Sequence, residues 1–176
     1  SFSSPYTYTL SDSSKTLSLQ EDTYYWRVRA GNETGNWSNY SAYRVLTIDT
    51  TAPTMILSAT GYVTDGGTHN AAVTMTFTSS ESTNNFIKDD VSVTNASISS
   101  WSGSGPNYTA TITPSSPGTV SIVVEASKFT DGAGNNNTTS NTYNWTHDAT
   151  GPTMTLTSST VSDGGTYNGP VTIKFT

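Results

Sequence analysis

Few residues of this chain have the type and spacing that catalysis requires. Its two histidines, His69 and His147, have no local pattern of Cys, Asp and Ser around them, and no Gly-x-Ser-x-Gly nucleophile elbow occurs. The adjacent acids Glu21-Asp22 and Asp89-Asp90 point to opposite faces when they lie on a strand, so neither pair forms a glycosidase dyad by itself. We therefore predict that the chain is not an enzyme.

Four aspartates recur at matching positions and could act as oxygen ligands. Asp49 and Asp148 each lie four residues before a proline, and Asp65 and Asp163 each open an Asp-Gly-Gly-Thr turn. The alternative is an Asx-turn, in which the carboxylate accepts hydrogen bonds from backbone N–H groups two residues on, and we favour it. Asp131, beside two glycines, is predicted to form a turn as well. No Cys or His spacing suits zinc, and the EF-hand spacing is absent.

Asn-x-Ser/Thr sequons are more frequent than the composition predicts. With 14 Asn, 27 Ser and 34 Thr in 176 residues, chance gives about five. A eukaryotic secretory pathway would glycosylate several of them, whereas a bacterium would leave them bare. Eight occur, at Asn32, Asn36, Asn39, Asn95, Asn107, Asn136, Asn137 and Asn144.

Two tryptophans are candidates for ligand binding. Trp37 and Trp101 fall in predicted turns, where an indole ring either stacks on a sugar or caps the end of a core. Thr at alternate positions of the predicted strands likewise presents either a hydroxyl-bearing binding face or the ordinary wet face of a sheet.

The composition excludes several function classes. The net charge is −6, and seven Lys and Arg are too few to cover a phosphate backbone, so we expect no nucleic-acid partner. No apolar run is long enough to predict a membrane span. Only 32% of residues are hydrophobic, yet 10 Tyr, 5 Phe and 4 Trp argue against disorder.

An internal repeat divides the chain. Residues 50–55 (TTAPTM) correspond to residues 149–154 (ATGPTM), and residues 72–78 correspond to residues 170–176. The period, near 100 residues, is the size of one β-sandwich domain. Proline restricts the backbone at both junctions, so we expect them to be stiff. The predicted division is a partial domain at 1–48, a linker at 49–53, a complete domain at 54–147, a linker at 148–152 and the start of a further repeat at 153–176.

Apolar and polar residues alternate with a period of two in the complete domain. Val73, Met75 and Phe77 alternate with threonines, and residues 108–113 and 119–126 show the same pattern. Turn sequences such as Asp131-Gly-Ala-Gly separate these runs. The pattern predicts an all-β fold of about seven strands per domain, as tandem antiparallel sandwiches in a linear array. Because residue 176 falls within an alternating run, we expect the natural polypeptide to continue past both ends.

Four blocks of the complete domain resemble bacterial-type immunoglobulin-like repeats of surface adhesins and filament proteins. The blocks are residues 77–81 (FTSSE), 89–93 (DDVSV), 108–112 (YTATI) and 129–135 (FTDGAGN). The resemblance implies an immunoglobulin-like sandwich in an extracellular or cell-surface protein. It also implies that calcium clamps the junctions, with Asp49, Asp148, Asp65 and Asp163 as its candidate ligands.

The first part of the chain resembles the C-terminal half of a fibronectin type III domain. Residues 19–30 (LQEDTYYWRVRA), residues 35–38 (GNWS) and the strand into Ile48 support this resemblance. It implies that Tyr24 is a corner tyrosine tying a loop to its strand, that Trp26, Val28 and Ala30 face a core, and that Arg27 and Arg29 face water.

The resulting functional hypothesis is a structural, non-catalytic segment of a long extracellular protein, either a filament subunit or an adhesin stalk. Its expected partners are the neighbouring domains of the same chain, other copies in a fibre, and surface glycans. Two alternatives stay open. One is an adhesion module that binds glycans or proteins, and the other is a set of spacer domains in a secreted hydrolase.

Overall fold

The computed structural model describes residues 14–176, so the first 13 residues of the predicted partial domain lie outside the described part. A 3-10 turn at Lys88–Asp90 separates two of the strands. None of the helices within residues 14–176 is long and apolar enough to cross a membrane. The described chain is otherwise built from strands and loops, as the alternating pattern predicts.

The strands are numbered in chain order. They are β1 (Asp22–Trp26), β2 (Arg44–Ile48), β3 (Met55–Ala59), β4 (Thr68–His69), β5 (Val73–Ser79), β6 (Val91–Thr94), β7 (Ala96–Ser104), β8 (Asn107–Pro114), β9 (Gly118–Val124), β10 (Tyr143–His147), β11 (Leu156–Ser158) and β12 (Ile173–Phe175).

Strand β5 illustrates why these residues form a sheet. Val73, Met75 and Phe77 are buried, while Thr74 and Thr78 are exposed on the opposite side. Successive side chains of a strand point to opposite faces, so one face joins the core and the other meets water. Burying each large apolar side chain contributes about 1.5–3 kcal/mol.

Strands β3 to β10 form two four-stranded sheets. One has the order β3-β5-β8-β7 and the other has the order β4-β10-β9-β6. The pairs are antiparallel except β4 with β10, which is parallel. The inner faces of both sheets contribute to one buried cluster, which contains Phe77, Ile122 and Trp145. This architecture confirms the predicted all-β, immunoglobulin-like class.

An aromatic group closes one part of this core. Phe86 contacts Trp101, Tyr108 and Phe129, with ring centroids 5.4, 5.1 and 5.1 Å away. The Tyr108 hydroxyl, which is buried, donates a hydrogen bond to the backbone carbonyl of Thr83 at 3.1 Å. Burial raises the pKa of Tyr108, so it stays a neutral donor at physiological pH.

Strands β1 and β2 pair with each other outside these two sheets. Tyr24 forms the expected corner, because its hydroxyl donates to the backbone carbonyl of Gln20 at 3.0 Å. The prediction that Trp26, Val28 and Ala30 face a core is wrong for the described chain, where Trp26 and Val28 are 47% and 58% exposed and Ala30 is exposed as well. The physical reason is that no second sheet within residues 14–176 packs against this pair. Strands β11 and β12 likewise form a separate antiparallel pair.

Candidate functional site

A tightly hydrogen-bonded loop after β9 holds the most buried carboxylate of the described chain. Asp131 is only 6% exposed. Its Oδ1 accepts hydrogen bonds from the backbone N–H groups of Ala133, Gly134 and Asn135 at 2.8, 2.7 and 2.9 Å. Burial alone would raise the pKa of Asp131, but the side-chain and backbone donors outweigh it, so the pKa lies below its usual range. Asp131 is therefore the turn former that the sequence predicts.

The Asp131 loop is attached to the segment that precedes β3. The side-chain amide of Asn135 donates to Asp131 Oδ2 at 2.9 Å and to the backbone carbonyl of Asp49 at 3.1 Å. Glu21 also contacts this segment, because it accepts hydrogen bonds from the hydroxyls of Thr50 and Thr51 at 2.8 and 2.7 Å. The hydroxyl of Thr51, followed by that of Thr50, lowers the pKa of Glu21. These contacts join three sequence-distant parts of the chain at one junction.

Three carboxylates converge at this junction. One carboxylate oxygen from each of Asp49, Glu81 and Asp131 lies within 4.8 Å of the other two. Asp49 lies between β2 and β3, Glu81 follows β5, and Asp131 is in the loop between β9 and β10. We call this group the junction carboxylates.

Glu81 is the electrostatically unfavourable member of the junction carboxylates. Its pKa is raised, first by burial and then by the negative charges of Asp49, Asp131 and Glu21. Within residues 14–176, no side chain or backbone group donates a hydrogen bond to its carboxylate. Two counter-charges remain available to it, a proton at low pH or a bound cation.

The donor set fits a hard divalent cation. Calcium takes carboxylate oxygens at 2.3–2.6 Å, so two ligands of one ion lie no more than about 5 Å apart. The 4.8 Å limit on the three oxygens satisfies that requirement. The junction carboxylates would hold the ion, and its charge would offset their mutual repulsion.

Only one of the four predicted calcium ligands belongs to this group. Asp49 does, and it also accepts a hydrogen bond from the N–H of Thr51 at 3.1 Å. Asp148 makes the equivalent Asx-turn with Thr150 at 2.9 Å, and this backbone donor lowers its pKa. Asp65 accepts from the N–H of Asn144 on β10 at 2.8 Å. Asp163 is exposed, in the turn before β12.

Sequence reasoning missed Glu81 as a site residue and interpreted Asp131 only as a turn former. Neither carries a ligand motif, and 50 positions separate the two along the chain. The signal that could have found them is topological, because Glu81 follows β5, the Asp131 loop follows β9, and the fold brings both to Asp49.

The two histidines lie on the parallel pair of strands rather than at the junction. His147 is paired with His69, and its Nδ1 lies 3.3 Å from the His69 backbone carbonyl. The contact of the His147 imidazole is therefore with a backbone carbonyl and not with another side chain. The adjacent acids do not contact the histidines: Glu21 lies at the junction, where it accepts from the hydroxyls of Thr50 and Thr51, and Asp90 accepts from the N–H of Ile87.

The two candidate tryptophans have different surroundings. Trp101 lies on strand β7 and not in the predicted turn, so that part of the prediction is wrong. It is half-buried and packs on Phe77 and Tyr108, which is the core-capping alternative. Trp37 is 51% exposed and lies so close to Gly31 that a Cβ added to this glycine would come within 2.9 Å of the indole ring. The guanidinium carbon of Arg29 lies 4.4 Å from the centroid of the Trp37 ring.

The eight sequons differ in the accessibility of their amides. Asn32, Asn36, Asn39, Asn107 and Asn136 are exposed, and Asn95 and Asn144 are half-buried. Asn137 is 2% exposed, and its Nδ2 donates to the carbonyls of Glu125 and Thr138 at 2.9 and 2.8 Å. A glycan on Asn137 is incompatible with this fold, because the nitrogen that would carry it is buried and bonded.

Comparison with known families places the candidate site within a single module. A family model described as a bacterial Ig-like domain matches residues 49–146. The match begins at Asp49 and includes Glu81 and Asp131, so all three junction carboxylates fall inside it. No curated protein and no solved structure matches the chain.

Proposed function

This chain belongs to the bacterial Ig-like domain family, and on that basis we propose that it is a structural, non-catalytic segment of a long extracellular surface protein. Domains of this family are typically structural or adhesive modules of surface or extracellular proteins, and the typical member is non-catalytic. The proposal is more specific: tandem sandwiches in series, acting as a filament subunit or an adhesin stalk.

The observation that carries the proposal is the repeated junction. The sequence around Asp49 returns at Asp148, and both aspartates form the same Asx-turn with the N–H of the threonine two residues on. A junction that is built twice in the same way favours a regular series of domains, in which each domain contacts only its neighbours. The expected partners are thus neighbouring domains and other copies in a fibre.

Residues 1–48 are proposed to be the C-terminal half of a fibronectin type III-like domain. The Tyr24 corner and the antiparallel pairing of β1 with β2 support this assignment. The chain would then join two kinds of sandwich at the Asp49 junction.

We further propose that the junction carboxylates bind calcium. Two observations support this proposal. Three negatively charged carboxylates converge at the junction, and burial together with the neighbouring acids raises the pKa of Glu81. A cation at this position would link the segment before β3 to two loops of the sandwich and would stiffen the junction.

The experiment that tests the structural role is small-angle X-ray scattering of the natural polypeptide, combined with surface labelling of intact cells. We expect a maximum dimension that grows in proportion to the number of domains, and labelling without permeabilisation. A radius of gyration near the value for one compact globule, about 2.2·N^0.38 Å for N residues, would contradict a rod. Labelling that requires permeabilised cells would contradict the surface location.

A further inference from the structure

Five side chains from the segment that connects β1 to β2 form a stack in which arginines alternate with aromatic rings. The guanidinium carbon of Arg27 lies 3.8 Å from the ring centroid of Tyr40 and 4.7 Å from that of Tyr43. The guanidinium carbon of Arg29 lies 4.4 Å from the ring of Trp37 and 4.7 Å from that of Tyr40. The order is therefore Trp37, Arg29, Tyr40, Arg27, Tyr43, and we call this stack the arginine–aromatic ladder.

Backbone and hydroxyl hydrogen bonds hold the two sides of the ladder in register. The N–H groups of Ser38 and Ser41 donate to the carbonyls of Ala30 and Val28, both at 2.8 Å. In return, the hydroxyls of the same serines accept from the N–H groups of Ala30 and Val28, at 2.9 and 3.0 Å. Each serine hydroxyl thus accepts the hydrogen bond that a backbone carbonyl accepts in a regular strand pair. This arrangement fixes the spacing of the aromatic residues around the serines.

The ladder is exposed and its cationic edges are available. Trp37, Tyr40 and Tyr43 are 51%, 45% and 61% exposed. Within residues 14–176 Lys88 pairs with Asp89, and no described acid pairs with Arg27 or Arg29. Stacking covers the faces of a guanidinium group, whereas its N–H donors lie in the plane and point away from the rings.

Two oriented guanidinium groups without acidic partners among the described residues are unusual in a chain with 13 acids and a net charge of −6. Stacking of arginine on aromatic rings is common on protein surfaces, and it accounts for the order of the five side chains. Within residues 14–176, no group accepts a hydrogen bond from the in-plane donors of either arginine. Those donors match the geometry of a carboxylate or a sulfate group. At the end of the ladder, Tyr43 has one guanidinium over it and is 61% exposed, so its ring offers flat apolar surface.

We propose that the arginine–aromatic ladder binds an acidic polysaccharide, whose carboxylate or sulfate groups bond to the edges of Arg27 and Arg29 while a sugar face stacks on the end ring of Tyr43. A nucleic acid is the weaker match, because a phosphate backbone is recognised through many cationic contacts and the ladder supplies two. The inference adds a binding surface to the proposed structural role and does not depend on that role.

The test is affinity electrophoresis of the whole 176-residue chain through gels containing a soluble polymer. The polymers are polygalacturonate, which carries carboxylates, heparin, which carries sulfates, and dextran, which is neutral. We expect retardation by polygalacturonate or heparin and none by dextran, and the more strongly retarding polymer identifies the anionic group. The double variant Arg27→Gln/Arg29→Gln is expected to bind at least tenfold more weakly.

A charge-matched control separates the ladder from bulk charge. Arg44→Gln/Lys128→Gln removes the same two positive charges outside the ladder and is expected to bind within twofold of the unaltered chain. Equal losses in both double variants would overturn the proposal, as would no retardation by either acidic polymer. Single-stranded oligothymidine binding as tightly as the polysaccharides would also overturn it.

A second variant guards against loss of local structure. If near-ultraviolet circular dichroism shows that the Gln variant disturbs Trp37, Arg27→Lys/Arg29→Lys keeps both charges but lacks the planar fork. We expect this variant to bind at least fivefold more weakly as well. Full binding by the Lys variant would show that point charges suffice, and the proposed edge-on recognition would be wrong.

Discussion

The side-chain amide of Asn135 donates a hydrogen bond to the backbone carbonyl of Asp49 at 3.1 Å, across 86 positions of sequence. The same amide donates to Asp131 Oδ2 at 2.9 Å. One residue therefore orients a junction carboxylate and at the same time attaches its loop to the segment before β3. The geometry of the candidate site depends on this bridge.

Asn135→Ala is expected to destabilise the chain by about 2 kcal/mol, because it removes two hydrogen bonds, one of them to a charged group. The measurement is urea unfolding followed by tryptophan fluorescence. Asn136→Ala, which truncates the exposed neighbouring asparagine, is the matched control and should change stability by less than about 0.5 kcal/mol. Equal effects of the two variants would show that the bridge does not stabilise the fold.

Glu81→Gln is expected to stabilise the chain at pH 7 in calcium-free buffer. The folded-state pKa of Glu81 lies above its ordinary value of 4.5, so ionising it costs stability as the pH rises through that value. The glutamine variant avoids this cost. Its advantage should therefore shrink as the pH falls through the raised folded-state pKa of Glu81, and it should be smallest below pH 4.5, where the folded and the unfolded chain both bind the proton.

The control for Glu81 is Glu125→Gln, which removes one exposed charge on the same domain. Asp131 has the opposite pH dependence, because its pKa is lowered in the folded chain. It contributes stability above its ordinary pKa, and that stability is lost in acid. An advantage of Glu81→Gln that stays constant from about pH 3 to pH 7 would contradict the assigned repulsion.

Calcium is expected to stabilise the unaltered chain and to have little effect on Glu81→Gln. At a free calcium concentration 100 times the dissociation constant, one site adds about 2.7 kcal/mol to the free energy of unfolding. Thermal unfolding with calcium and with EDTA measures this difference. Asp89→Asn, which removes an acid outside the junction carboxylates, should keep the full response. An Asp89→Asn response as small as that of Glu81→Gln would mean that calcium acts only on bulk charge.

Secretion from a eukaryotic host is expected to give glycans at exposed sequons and none at Asn137. Its oxygen accepts from the N–H groups of Lys128 and Phe129 at 2.7 and 2.9 Å, and its nitrogen is equally engaged. Intact-glycopeptide mass spectrometry gives the occupancy of each sequon. A folded, secreted protein with a glycan at Asn137 would contradict the buried placement.

The period-two pattern was sufficient to predict the centre of the sandwich. The alternation at Val73, Met75 and Phe77 identifies their shared buried face, since a buried face and a wet face impose the pattern directly. Strand β7 was missed, because most of its residues are Ser or Gly and its sequence has no sustained apolar period. It forms by pairing with β8, which is a tertiary effect.

The candidate site was predictable only in part, for a related reason. The repeat identified Asp49, because the same residue returns at Asp148. Glu81 lies in a loop with no repeated or spaced ligand, so only the folded topology brings it to Asp49. The arginine–aromatic ladder was equally hidden: alternation predicts that Arg27 and Arg29 share a face, but their partners depend on how residues 37–43 return along it.

Asn141→Ala is expected to destabilise the sandwich by about 1–2 kcal/mol and to increase its self-association. Strand β3 is at the edge of its sheet, where unpaired backbone groups invite pairing with another chain. Asn141 satisfies two of these groups, since its Oδ1 accepts from the Leu57 N–H at 2.8 Å and its Nδ2 donates to the Leu57 carbonyl at 3.0 Å. Analytical ultracentrifugation and urea unfolding measure the two effects, with the exposed Thr142→Ala as control. A monomeric Asn141→Ala variant of unchanged stability would show that water satisfies this edge as well as the asparagine does.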